Sequence, residues 1–250
     1  MKIRHLRHAT FHLLMQEVTF LVDPVLSPAE GMTPIDNSPN QRRNPLVELP
    51  VSAELVMKAD ACLVTHMHRD HFDSAAGELL PKAMSVFCQP EDLDKLKQLG
   101  FEDVQPVNPA ATWKAIAIER TGGQHGTGEI GQKMAPVSGY VLNAAGEPTL
   151  YIAGDTIWCP EVADSLATHK PEVIVLNGGA ARFNQGDPIT MGMQDIFQVC
   201  RHAPAAKVVV LHMEAINHCL LTRAELNAFL SQEGLDNRVT VPADGQWLEF

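Results

Sequence analysis

A bilayer-spanning helix needs roughly 18 or more consecutive apolar residues, and this 250-residue chain has nothing of the kind. Its fully apolar stretches, such as Val208–Leu211, run to only a few residues. The apolar core of a signal peptide is absent too, because Met1-Lys2-Ile3-Arg4-His5 leads into further basic and polar residues, and the expected location is the cytoplasm. The five cysteines, Cys62, Cys88, Cys159, Cys200 and Cys219, are scattered, odd in number and without C-x-x-C spacing. That excludes a disulfide framework and predicts reduced thiols. Cys62 and Cys88 sit in apolar runs and read as buried packing groups. Basic clusters are also lacking: the formal net charge is −11 and nothing is denser than Gln41-Arg42-Arg43. Such a surface repels polyanions on average, which argues against nucleic acid as a partner.

What is present is an ordinary globular composition, 45% hydrophobic and 20% charged, with no repeat or linker to divide it. One domain over residues 1–250 is expected. Short runs rich in β-branched residues predict strands at Thr19–Val22, Ala61–Val64, Met84–Phe87, Ala115–Ile118, Gly139–Leu142, Thr149–Ala153, Val173–Leu176, Lys207–Leu211 and Arg238–Val241. A helix is expected between Pro90 and Gly100, a second along Ile189, Met193, Ile196 and Cys200, and a third along Leu226, Phe229 and Leu230. Thr222 and Glu225 form a capping box for the third. Ser27–Pro50 breaks the pattern: it holds five prolines and almost no apolar periodicity. A loop of that length in a compact domain is commonly functional, so residues 27–50 are expected to form a lid or a substrate rim.

The densest chemistry lies in Thr65-His-Met-His-Arg-Asp-His-Phe72, where His66, His68, Asp70 and His71 fall within six positions. Residues two apart in an extended segment point the same way. His66 and His68 can therefore grip one cation, while Asp70 and His71, past a bend, face a neighbour. Imidazole suits zinc, iron, nickel or copper, and the added carboxylate hardens the site toward manganese. Three later segments offer more donors after strands or in glycine-rich turns: Thr121-Gly-Gly-Gln-His125-Gly, Ile152-Ala-Gly-Asp155-Thr156 and Val208-Val-Val-Leu-His212.

In that order, His66-x-His68-x-Asp70-His71, His125, Gly154-Asp155-Thr156 and His212 resemble the ligand set of the metallo-β-lactamase superfamily across nearly the whole chain. Arg7-His8-Ala9-Thr10 and Phe20-Leu21-Val22-Asp23-Pro24 also resemble the start of the branch that contains L-ascorbate-6-phosphate lactonase. The resemblance implies an αββα four-layer sandwich with two mixed β-sheets face to face and helices outside. It implies two divalent metal ions per chain, zinc first and manganese or iron as alternatives. His66, His68 and His125 would hold one ion, Asp70, His71 and His212 the other, and Asp155 would bridge them.

The expected activity is hydrolysis of a small-molecule ester, lactone or amide by a metal-bridging hydroxide, with Asp70 also moving a proton. A small-molecule phosphodiesterase and a non-catalytic, metal-stabilised binding protein are the alternatives. Some superfamily members are redox proteins with a carboxylate within the first motif, but His68 stands at that position here. His218 is a candidate catalytic group, Arg182, Arg42 and Arg43 are candidates for binding an anionic substrate, and His8 is a candidate donor behind the metals. The sequence leaves the oligomeric state open, a homo-oligomer included.

Overall fold

The computed structural model describes all residues from Met1 to Phe250. Fourteen strands form two seven-stranded sheets. The chain builds the first from β1 (Lys2–Arg7), β2 (Thr10–Met15), β3 (Val18–Val22), β4 (Ala61–Leu63), β5 (Ser85–Cys88) and β6 (Val104–Pro106). The second follows with β7 (Ala110–Trp113), β8 (Ile116–Thr121), β9 (Gly139–Asn143), β10 (Leu150–Ile152), β11 (Val173–Asn177), β12 (Lys207–Leu211) and β13 (Val239–Thr240), and β14 (Trp247–Glu249) returns to the edge of the first. β1, β2 and β3 pair antiparallel and β3 through β6 parallel, while β7 through β10 pair antiparallel and β10 through β13 parallel.

The central strands β4, β10 and β11 are buried on both faces, which is why these segments read as continuous apolar runs. Along β11, Val173 and Val175 point into the layer between the sheets, where they meet Phe11, Phe20, Leu63, Phe87 and Tyr140. Ile174 and Leu176 point outward, beneath α5 (Pro160–His169), α6 (Met193–His202) and α7 (Arg223–Gln232). The outer face of the first sheet packs through Leu21, Cys62, Val64 and Val86 on α2 (Ser74–Leu79) and α3 (Leu93–Gln98). The two remaining helices, α1 (Ala53–Val56) and α4 (Gly128–Met134), are short. The result is helix, sheet, sheet, helix, as the resemblance implies, and none of the helices is long and apolar enough to cross a membrane.

All nine expected strands are present to within a few residues, and Thr222 caps α7 with Glu225 reciprocating. The Pro90–Gly100 segment opens as a 3₁₀ turn before α3 begins. The helix expected from Ile189 starts only at Met193, with Gly192 at its N-cap, so Ile189 lies in the preceding turn. Residues 27–50 form no regular element beyond a single bridge between Met32 and Asn44. Arg7, fully buried, holds both ends of this loop: its guanidinium donates to Val25 O and Ser27 O at 2.9 and 2.8 Å and to Val47 O at 2.9 Å. Burial pushes the Arg7 pKa down to about 10, which leaves it charged at neutral pH.

Candidate metal centre

Because β1 and β3 run the same way, as do β8, β10 and β12, the turns that follow these strands share one end of the sandwich. Asp23 follows β3, Thr65–His71 follows β4, His125 follows β8, Asp155 follows β10 and His212 follows β12. His8 lies between β1 and β2. His8, Asp23 and His212 all have left-handed backbones, with φ of 59°, 43° and 67°. Left-handed backbone at non-glycine residues is costly and concentrates at functional sites. Gly154 (φ 68°) lets the chain turn ahead of Asp155, and a Cβ there would collide with Ser138 O.

The motif after β4 closes on itself, with His71 N and Phe72 N both donating to His68 O at 2.9 Å. Asp73 then caps α2 through Ala76 N at 2.8 Å and also accepts from Leu26 N and Ser27 N. His66 Nε2 lies 2.9 Å from His68 Nδ1, and His71 Nε2 lies 3.2 Å from His212 Nε2. Asp155 stands between these pairs. Its Oδ2 is 3.2 Å from His71 Nε2 and 3.4 Å from His125 Nε2, while its Oδ1 is 3.3 Å from His212 Nε2. Asp70 Oδ2 is 3.8 Å from His212 Nε2. The seven residues singled out in the sequence therefore converge, and donor atoms of His66, His68 and His125 lie within 4.8 Å of one another, as do those of Asp70, His71, His212 and His8.

This donor set fits cations. Imidazole nitrogens and carboxylate oxygens are the donor types that imidazole- and carboxylate-binding divalent metals accept, and here they gather within 4.8 Å of one another in three overlapping groups. The backs of the rings are also held. His71 Nδ1 donates to Asp23 Oδ2 at 2.8 Å and His125 Nδ1 donates to Ile189 O at 2.7 Å. Thr65 Oγ1 lies 3.1 Å from His66 Nδ1, and Cys219 Sγ lies 3.4 Å from His212 Nδ1. Such outer partners fix ring orientation and tautomer.

Electrostatics follow the same geometry. Burial raises the Asp155 pKa, but His212, His71 and His125 outweigh it and hold the carboxyl well below the ordinary range. Burial likewise raises Asp70, whereas the neighbouring His8, 3.5 Å from its Oδ2, together with His71 and His218 brings it well below. Burial lowers His71, yet Asp155 and Asp23 hold it well above the usual imidazole value. His66 and His212 are lowered well below it, chiefly by burial.

A cavity of about 190 Å³ opens beside the cluster. Ile35 from the 27–50 loop, Met134 from α4 and Phe183 supply apolar wall, and His68, Asp70, His125, Arg69 and His218 supply the polar part. A larger concavity of about 650 Å³ lies at the opposite end, at the starts of β11 and β12, with no histidine in its lining. The polar groups that converge on the smaller cavity make it the candidate site.

The other expected site residues divide. His218 is buried, lines the cavity, and leaves Nδ1 without a hydrogen-bond partner. His8 is fully buried beneath His212, ring centroids 3.6 Å apart, with Nε2 3.5 Å from Asp70 Oδ2. Burial, partly offset by Asp70, pushes its pKa down to about 4. Arg42, Arg43 and Arg182 are exposed and absent from the cavity lining. Arg43 instead donates to Glu30 O and Gly31 O. The arginine in the lining is Arg69, which binds Thr33 Oγ1 at 2.7 Å and Pro34 O. Asp23, Cys219 and Ile189 O hold the backs of the ligand rings, roles that the sequence expectations did not give them. The Asp after an apolar strand was the one local signal among them.

A model of the beta-lactamase superfamily domain matches residues 19–213. UPF0173 protein YddR of Bacillus subtilis (strain 168) is 37% identical over 254 residues, with all of both chains covered. A UPF0173 metal-dependent hydrolase of Azorhizobium caulinodans is 28% identical over 260 residues, again with full coverage of both. The crystal structure of isothiocyanate hydrolase from Delia radicum gut bacteria superposes with a TM-score of 0.96 at 37% identity, covering 100% of this chain and 99% of that one.

Proposed function

Because this chain belongs to the beta-lactamase superfamily and is a metal-dependent hydrolase, we propose that it is a dinuclear enzyme acting on a small, uncharged electrophile, with isothiocyanates as the first class to test. His66, His68 and His125 would hold one ion, Asp70, His71 and His212 the other, and Asp155 would bridge. The observation that carries this reading is the position of Asp155, whose two oxygens face histidines of both groups. Bound divalent cations supply Lewis acidity, lowering the pKa of a water to about 7 and polarising the bond under attack.

The chain's own residues do the rest. Asp70, held anionic and lining the cavity, accepts a proton from the attacking water. His218 offers a buried ring nitrogen to the substrate heteroatom that gains a proton. Ile35, Met134 and Phe183 bury an apolar substituent and keep water from it. The cavity lies below the roughly 300–1,000 Å³ of drug-sized sites, which favours a compact substrate.

For an isothiocyanate, water oxygen bonds to the central carbon and the carbon–nitrogen π pair moves to nitrogen, which takes a proton. Loss of carbonyl sulfide from the resulting thiocarbamate leaves the amine, so R–N=C=S and H2O become R–NH2 and COS. Support for this class comes from the relative named isothiocyanate hydrolase, 37% identical over the full chain. An ester, lactone or amide carbonyl presents the same electrophilic carbon. The test is incubation of zinc-loaded protein with benzyl isothiocyanate, following amine and carbonyl sulfide. Equimolar release that chelation stops and zinc restores is expected. No release by protein holding both ions would overturn the isothiocyanate assignment and turn attention to esters, lactones and amides.

A further inference from the structure

Asn217 is buried, 1% exposed, between the 27–50 loop and the site. Its Oδ1 accepts from Ile35 N and from Asn44 Nδ2, both at 2.8 Å. Its Nδ2 faces Ser38 Oγ at 2.7 Å, Asn40 O at 2.5 Å and Ile35 O at 3.1 Å. Its backbone N donates to Asn44 Oδ1 at 2.8 Å, which makes the contact with Asn44 reciprocal. Asn44 in turn pairs its own backbone with Met32 at 2.7 and 3.0 Å, closing the loop on itself. One side chain thus satisfies groups on four residues of a segment that lacks regular structure, and only an amide combines the acceptor with the two N–H donors this requires.

Two walls of the cavity meet at this residue. Ile35, on the loop side, has both of its backbone polar groups held by Asn217, and His218, which also lines the cavity, is the next residue in the chain. We infer that Asn217 is a positioning residue that holds the 27–50 loop as a fixed wall and sets the spacing between Ile35 and His218, thereby controlling which substrates fit. Asn217 is itself absent from the cavity lining and from the donor cluster. The inference rests on the site being a small-molecule hydrolase, but its structural half is independent of turnover.

Arg42 and Arg43 are exposed within the same loop and offer trypsin two reporting bonds. Asn217→Leu removes every side-chain polar contact and leaves only the backbone N–H to Asn44 Oδ1, and Asn217→Asp keeps the side-chain acceptor while removing the side-chain donors, so it serves if the first variant fails to fold. Trypsin cleavage at Arg42 or Arg43 is expected to accelerate at least ~10-fold in either variant, with metal content equal to that of the unaltered protein. KM for a turned-over substrate should rise about 10-fold while kcat changes less than about 3-fold, the split expected when binding rather than chemistry is disturbed. Unchanged cleavage in the folded variants overturns the inference. Accelerated cleavage with an unaltered KM overturns its specificity half. If no substrate turns over, the chain is not the small-molecule hydrolase proposed above, and the cleavage rate still decides whether Asn217 holds the loop.

Discussion

Asp23 and His71, 48 residues apart in the chain, are joined by a buried 2.8 Å hydrogen bond from His71 Nδ1 to Asp23 Oδ2. The same carboxylate accepts from Thr65 N and Thr65 Oγ1, both at 2.7 Å, so it clamps the start and the end of the histidine motif together. The contact aims Nε2 of His71 at the donor cluster and makes the ring a stronger base.

Asp23→Asn keeps the shape but removes the charge and puts an N–H where a donor already points. We expect the affinity for the second zinc ion to fall about 10- to 100-fold, with the first nearly unaffected. Isothermal titration of the chelator-stripped protein reads both steps, and equal loss at both would show that Asp23 acts on the whole cluster.

Much of this site was legible because its donors fall in a dense motif and after apolar strands, where glycine or a β-branched run marks the turn. The supports were not. Asp23, Cys219 and Ile189 act on rings that are distant in sequence or through a backbone carbonyl, and no local pattern announces such pairs. β1 and β2 were missed for a related reason: His5, Arg7 and His12 interrupt the apolar alternation, yet all three are buried, with Arg7 and His12 donating to carbonyls. β6, at a sheet edge, carries Pro106, and residues 27–50 gain order from contacts such as Asn217 up to 182 positions away.

Outside the cluster, His12 gives a pH dependence with a defined sign. Burial lowers its pKa from 6.5, opposed by the hydrogen bond to Val56 O. Above 6.5 the ring is neutral folded and unfolded. Below it the unfolded chain takes up the proton first, so the His12 contribution destabilises the fold as pH falls from about 6.5 toward the lowered folded value. The urea midpoint of His12→Gln, which retains a donor for Val56 O, should therefore fall less steeply between pH 7 and 5 than that of the unaltered protein. Parallel curves would show that His12 contributes nothing to the acid limb.

Phe183 stacks near His218, ring centroids 6.4 Å apart at 23°, and forms one apolar wall of the cavity. Phe183→Ala should enlarge that wall space and shift preference toward bulkier substituents. The ratio of kcat/KM for benzyl over methyl isothiocyanate is expected to rise about 10-fold, the scale of a pocket contact of 1–3 kcal/mol. An unchanged ratio would place the substituent elsewhere.

The dinuclear account stands or falls on the number of ions held. Elemental analysis of the folded chain after zinc saturation and removal of free metal should give two ions per chain. Asp155→Ala, with the circular dichroism spectrum of the unaltered protein, should hold one or none, because the apolar layer between the sheets is separate from the residue that faces both histidine groups. A single ion at saturation in the unaltered, fully folded chain would contradict the account.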